Sequence, residues 1–187
     1  LKSQPIIADS FLSALVSKFD AYIGNLMRVI FQTRTNTLKS SEKTLTLKEI
    51  MDFSTIEEAQ KFIIEEEVDS LLRESHDKQV EWFEKLLDIK VRNVSSWPNY
   101  IEITERRNLL AHCNGQVNKH YINNCKKHQV VLPENLGVGV RLTVDEAYFQ
   151  QAFTTLYEIG FMLGHIVWRK ISDSNESDAY NNHLLMK

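Results

Sequence analysis

Between Phe149 and Val167 the chain carries apolar side chains on almost every side of a 3.6-residue period. Phe149, Phe153, Leu156, Ile159, Met162, Leu163, Ile166 and Val167 leave no wide polar face. Such a helix has to be covered on several sides, so it belongs at the centre of a bundle or in an interface between chains. Thr143 followed by Glu146 reads as a capping box that opens it, and the period holds to about Ile171. Only 6 Gly and 3 Pro in 187 residues leave little turn chemistry for a β sandwich or barrel, which again favours helix.

The rest of the pattern agrees. Ile6 to about Thr33 reads as a long amphipathic helix, with Phe11, Leu15, Phe19, Leu26 and Ile30 recurring every three or four residues and Leu12, Val16 and Ile23 widening the stripe. Leu47 to Phe53 is a short helix. Ser54 or Thr55 caps the next, with Glu57 and Glu58 at its positive end and Phe62, Ile63, Val68, Leu71 and Leu72 inward. Asp77 to Ile89 follows, with Val80, Phe83, Leu86 and Leu87 on one side. Ser95-Ser96-Trp97-Pro98 combines a hydroxyl cap with Pro in the first turn, and Asn114-Gly115 is a left-handed stop. Val117 to His128 is a shorter basic helix. Gln129 to Leu132 and Val138 to Leu142 are expected as two strands of a small hairpin around Pro133–Gly137. Ser172 to Lys187 is polar and without period, so a domain over 1–171 and a tail or linker over 172–187 are expected. Trp82, Trp97 and His165 are expected in the core.

No apolar run reaches the ~20 residues that span a bilayer, and no secretory leader is recognisable. Two Cys suit a reducing compartment, so the expected location is the cytoplasm. Leu1 in place of Met is compatible with a piece of a larger protein, with other domains or a partner protein beside it. Net charge is −3, which does not mark the whole chain as a nucleic-acid binder. The charge is uneven, however. Glu57 to Asp88 holds eleven acids and four Lys/Arg, whereas Glu105 to His128 holds five Lys/Arg, one acid and three of the six His. A basic patch in a mildly acidic protein guides an anion to one place.

That basic stretch opens with Glu105-Arg106-Arg107-Asn108-Leu109-Leu110-Ala111-His112. On a helix Glu105, Asn108 and His112 share a face, while Arg107 lies around the cylinder from His112. An imidazole titrates near neutrality and can take a proton from a ribose 2′-hydroxyl or give one to a leaving 5′-oxygen. Arg107 keeps its charge and can hold two phosphate oxygens. Asn108 can orient His112 or the phosphate. RNA brings its own nucleophile, so this set needs no metal. The plainer alternative is a helix end at which Arg, Asn and His satisfy carbonyls and solvent.

Arg107-Asn108-x-x-x-His112 resembles the signature of the HEPN superfamily: an Arg, a polar residue, and a His after four to six intervening residues. Glu105-Arg106 before it, and Asn114-Gly115 and Val117-Asn118-Lys119-x-Tyr121 after it, are similar to the form found in prokaryotic defence and stress proteins. The layout resembles that family over roughly Phe11 to Tyr121, the motif over about twenty residues. The resemblance implies an all-α HEPN-like helical bundle, here with a small β-hairpin insertion. It implies metal-independent endoribonuclease activity in a homodimer whose two motifs share one cleft, with Arg107, Asn108 and His112 catalytic and with a role in defence or as a toxin. Non-catalytic members serve as dimerisation or nucleotide-binding modules, which is the alternative. Asn114 stands where members silenced by nucleotidylation carry Tyr, so that control is not expected. Arg106, Lys119, Lys126 and Lys127 are the expected RNA contacts.

Other clusters carry less. His112, Cys113, His120, Cys125 and His128 include a helix-compatible Cys-x-x-His spacing for zinc but lack a CxxC pair. Glu65-Glu66-Glu67 splay around a helix as a solvated face. No metal and no cofactor is expected; the expected partners are RNA and a second copy of the chain.

Overall fold

The computed structural model describes residues 4–34, 37 and 43–185, with the backbone alone for 4–6 and 173–185. The protein is all-α. Its helices are α1 (Gln4–Thr33), α2 (Leu47–Met51), α3 (Ile56–Arg73), α4 (His76–Leu87), α5 (Trp97–Cys113), α6 (Lys119–Lys127) and α7 (Glu146–Leu185), with a 3-10 turn over Val91–Asn93. Among the described residues no helix is long and apolar enough to cross a membrane.

The chain divides into two compact units. One joins the chain up to Ala21 to His76–Leu163; the other joins Tyr22–Ser75 to the chain from Gly164 on. The first unit carries the motif. Its core is built from Leu12, Val16 and Phe19 of α1, Phe83 of α4, Tyr100, Ile101 and Ile103 of α5, and Leu156, Ile159 and Leu163 of α7. Tyr100 packs its ring against Phe19, Trp97 and His76, with centroids 5.7, 5.4 and 6.0 Å away. The second unit buries Ile23, Met27 and Ile30 of α1, Ala59, Ile64 and Val68 of α3, and Val167 of α7. Arg28 holds Glu65 there through its Nε, and a Cβ on Gly164 would strike the Tyr22 hydroxyl.

Local signals largely decide where helices start and stop. Thr46 and Glu49 form a reciprocal capping box on α2. Thr55 caps α3 by accepting from the Glu58 amide. Asn114 adopts φ 51° and ends α5 as a left-handed stop, with Gly115 N–H donating to Leu109 O at 2.9 Å. Two caps differ from expectation. Ser96 makes no side-chain cap on α5. Helix α7 starts at Glu146 with Asp145 accepting from the Tyr148 amide; Thr143 lies outside the helix, and its carbonyl accepts from Arg106.

The expected hairpin is absent: there is no strand among the described residues. The 138–142 segment pairs instead with 115–117, through one antiparallel bridge between Gln116 and Arg141 and bonds such as Val117 N–H to Val140 O, 2.9 Å. The apolar residues that look like two strands have another use. Val130, Leu132, Leu136 and Leu142 cover a small core of Leu109, Val117, Tyr121 and Cys125 where α5 meets α6. Covering that corner buries them without pairing them to each other.

Four burial expectations also change. Phe11 (60% exposed), Phe62 and Phe153 face outward, at the edges of stripes whose buried residues include Leu12, Val68 and Leu156. His165 is exposed. Along α7 the apolar residues split into a buried row, Ala152, Leu156, Ile159 and Leu163, and an outer row in which Phe153, Tyr157 and Phe161 stack four residues apart. The helix backbone runs on to Leu185, well past Ile171 where the apolar period fades.

Candidate active site

Helix α5 is polar on three sides, and each side has a different neighbourhood. On the first, Glu102 is a nearly buried carboxylate with three donors: Tyr121 Oη at 2.7 Å and Arg106 Nε at 2.8 Å on Oε1, and Tyr148 Oη at 2.7 Å on Oε2. Arg106 also lies over the Tyr148 ring, 3.8 Å from its centroid, and donates to Thr143 O. Burial, and then the Glu102 charge, push both phenols above their ordinary range, so they remain donors. Burial likewise pushes the Cys125 thiol up to about 12. The network ties α5, α6 and α7 together.

On the second side, Arg107 Nη2 donates to Asp20 Oδ2 at 3.0 Å, and Asp20 Oδ1 pairs with His76 Nε2 at 2.9 Å. The guanidinium is mostly buried, and its Nε makes no hydrogen bond. Asp20 and His76 are 87 and 31 positions away in the chain, so no local spacing announces this trio.

On the third side lies a cavity of about 330 Å³ lined by Glu105, Asn108, Leu109, His112, Cys113, Asn118 and His120. His112 is exposed at the end of α5, and Asn108, one turn earlier, is half-buried. Glu105 is buried at the back. Its Oε1 accepts from Asn124 Nδ2 at 2.8 Å, and its Oε2 stands 3.6 Å from His120 Nε2. The turn that joins the two cavity walls leaves little freedom. Gly115 has φ +73°, and a Cβ there would come within 2.9 Å of Leu142 O. Asn118 then caps α6 by accepting from the Tyr121 amide.

The structure therefore brings Asn108 and His112 together in one cavity and turns Arg107 away toward Asp20. Of the expected RNA contacts, Arg106 is engaged by Glu102, Thr143 and Tyr148. Lys127 pairs with Asp77 Oδ2 at 2.9 Å while staying largely exposed, and Lys119 and Lys126 are exposed on α6. The zinc reading loses its geometry: Cys125 is in the core, and His128 accepts at Nδ1 from Trp97 Nε1. Among the described residues no group of three or more His, Cys, Asp or Glu is placed to hold a metal ion. Sequence reasoning grouped His120 with His112 only as a zinc candidate and did not place the two in one cavity with Asn108 and Glu105. The signal for that was the tight Asn114-Gly115 turn, which returns the chain within eight residues. No family model, no curated protein and no solved structure matches this chain.

Proposed function

We propose that this protein is a metal-independent endoribonuclease that acts on RNA as a homodimer. The observation that carries the reading is the exposed His112 beside Asn108 in an open cavity, at the end of the helix that also bears Arg107. The ribose 2′-hydroxyl loses its proton to an imidazole and O2′ attacks the adjacent phosphorus. The P–O5′ bond breaks and O5′ takes a proton, leaving a 2′,3′-cyclic phosphate and a 5′-hydroxyl. Asn108 orients His112 or the phosphate. Arg107 faces away from its own cavity, so it serves the cavity of the second chain, across a twofold axis. The exposed ladder of Phe153, Tyr157 and Phe161 offers apolar area for pairing. The HEPN-like motif extends the proposal to a cytoplasmic effector of prokaryotic defence or a toxin.

Total cellular RNA incubated with the protein in EDTA should be cut, and His112→Ala should cut at least about 10²-fold more slowly. Loss of cutting in EDTA with recovery in Mg²⁺ or Zn²⁺ would end the metal-independent reading. One observation favours a second reading, a non-catalytic dimerisation or nucleotide-binding module: Arg107 is already engaged by Asp20. A dimer that binds nucleotide and leaves RNA intact would establish it.

A further inference from the structure

The reaction proposed above needs two proton transfers, one away from O2′ and one toward O5′. The cavity supplies two imidazoles. His112 is the penultimate residue of α5 and His120 the second residue of α6, and both line the same space of about 330 Å³. We propose that His112 and His120 of one protomer form a single two-imidazole phosphodiester site, in which His120 supplies the second proton transfer. This rests on the ribonuclease reading for its chemistry, and it makes that chemistry complete without requiring one imidazole to act twice.

Three features support the pairing. The rings hang from helices joined by the restrained 114–118 turn, with Gly115 pressed against Leu142 O and Asn118 capping α6, so the backbone fixes the two positions from which the side chains reach into the cavity. Glu105, anchored by Asn124, holds a carboxylate oxygen 3.6 Å from His120 Nε2, close enough to form an ion pair with the imidazolium form. His120 is 79% exposed, so its ring is not spent on packing and a strand can reach it. With a phosphodiester between the rings, one neutral imidazole takes the 2′ proton as O2′ bonds to phosphorus. The other, as imidazolium, gives its proton to O5′ as the P–O5′ bond breaks. The two rings end with exchanged protonation states, and the proton count balances.

The test uses the whole chain and a short RNA oligonucleotide. His120→Ala should lower kcat at least about 10²-fold with KM within a few-fold and an unchanged melting temperature. The parent's bell-shaped pH–rate profile should lose one limb, a change that a merely structural residue would not cause. If His112→Ala is inactive and His120→Ala cuts at the parent rate with both limbs intact, the pairing is wrong and the ribonuclease reading survives. If the parent cuts no RNA, that reading fails, and inorganic phosphate decides the pairing. Movement of both imidazole NMR resonances on titration keeps the two-imidazole site as a binding site; movement of neither, or of His112 alone, overturns it.

Discussion

Glu102 and Glu105 sit less than one helical turn apart on α5, and their surroundings are opposites. Around Glu102 each polar group has a partner: two phenols and a guanidinium converge on one carboxylate, and burial strengthens each bond. Around Glu105 the carboxylate is held by one amide, and beyond it the cavity walls are Asn108, His112 and His120 with room between them. A closed polar network joins helices; an open one leaves donors and acceptors for a ligand. The two charged residues that follow Glu105 divide in the same way. Arg106 is absorbed by the closed network, while Arg107 is fixed by a single carboxylate oxygen and keeps its Nε without a hydrogen bond.

The contrast breaks first if Glu102 proves dispensable. Glu102→Ala leaves Arg106 mostly buried without its anion, and loss of one member of such a pair costs about 3–5 kcal/mol. Urea denaturation should show that loss, and a change under about 1 kcal/mol would mean that the network behaves as a surface pair. Next comes Arg107→Lys. A planar fork replaced by a point charge should slow RNA cleavage about 10²-fold while circular dichroism stays unchanged. A parent-like rate would make Arg107 a structural partner of Asp20 and nothing more.

Gly115→Ala sharpens the comparison from the side of the open cluster. The new Cβ meets Leu142 O at a positive φ, so a loss of about 1–3 kcal/mol is expected. The cavity walls should then be displaced, and cleavage should fall by more than thermal melting alone explains. The smallest effect concerns pH. Burial pushes the His128 imidazole below its ordinary value, against the opposing pull of Asp77. The unfolded chain then binds the proton first, so the stability that neutral His128 contributes is complete above about pH 6.5 and is lost as pH falls toward the lower folded value. The urea midpoint should drop on acidification from pH 8 to 5, and His128→Gln should flatten that slope relative to the parent.

The helices were legible because caps and stops are local. Thr55, Asn114 and the 3.6-residue rows sit within a few residues of what they control. Contacts that close over distance were not. Nothing near Arg107 points to Asp20, and nothing near Glu102 points to Tyr148. The hairpin shows the limit most clearly: Val130 to Leu142 has the alternation and the turn residues of paired strands, yet burial against Leu109 and Tyr121 decided its course. At the site, the face that His112 shares with Asn108 could be read from their four-residue spacing. The company of His112 with His120 depended on a turn whose geometry only the fold determines.

The Asp20–Arg107 bond also bears on the chain entropy lost in folding. It closes a loop of 87 residues, whereas the bonds from Tyr121 to Glu102 and from Asn124 to Glu105 each close 19. Loop-closure entropy rises with that separation, so closing the α5–α6 corner costs less chain entropy than docking α1 on α5. The two helices that carry His112 and His120 are thus joined by near-neighbour contacts, whereas the Arg107 guanidinium takes its orientation from a distant part of the chain.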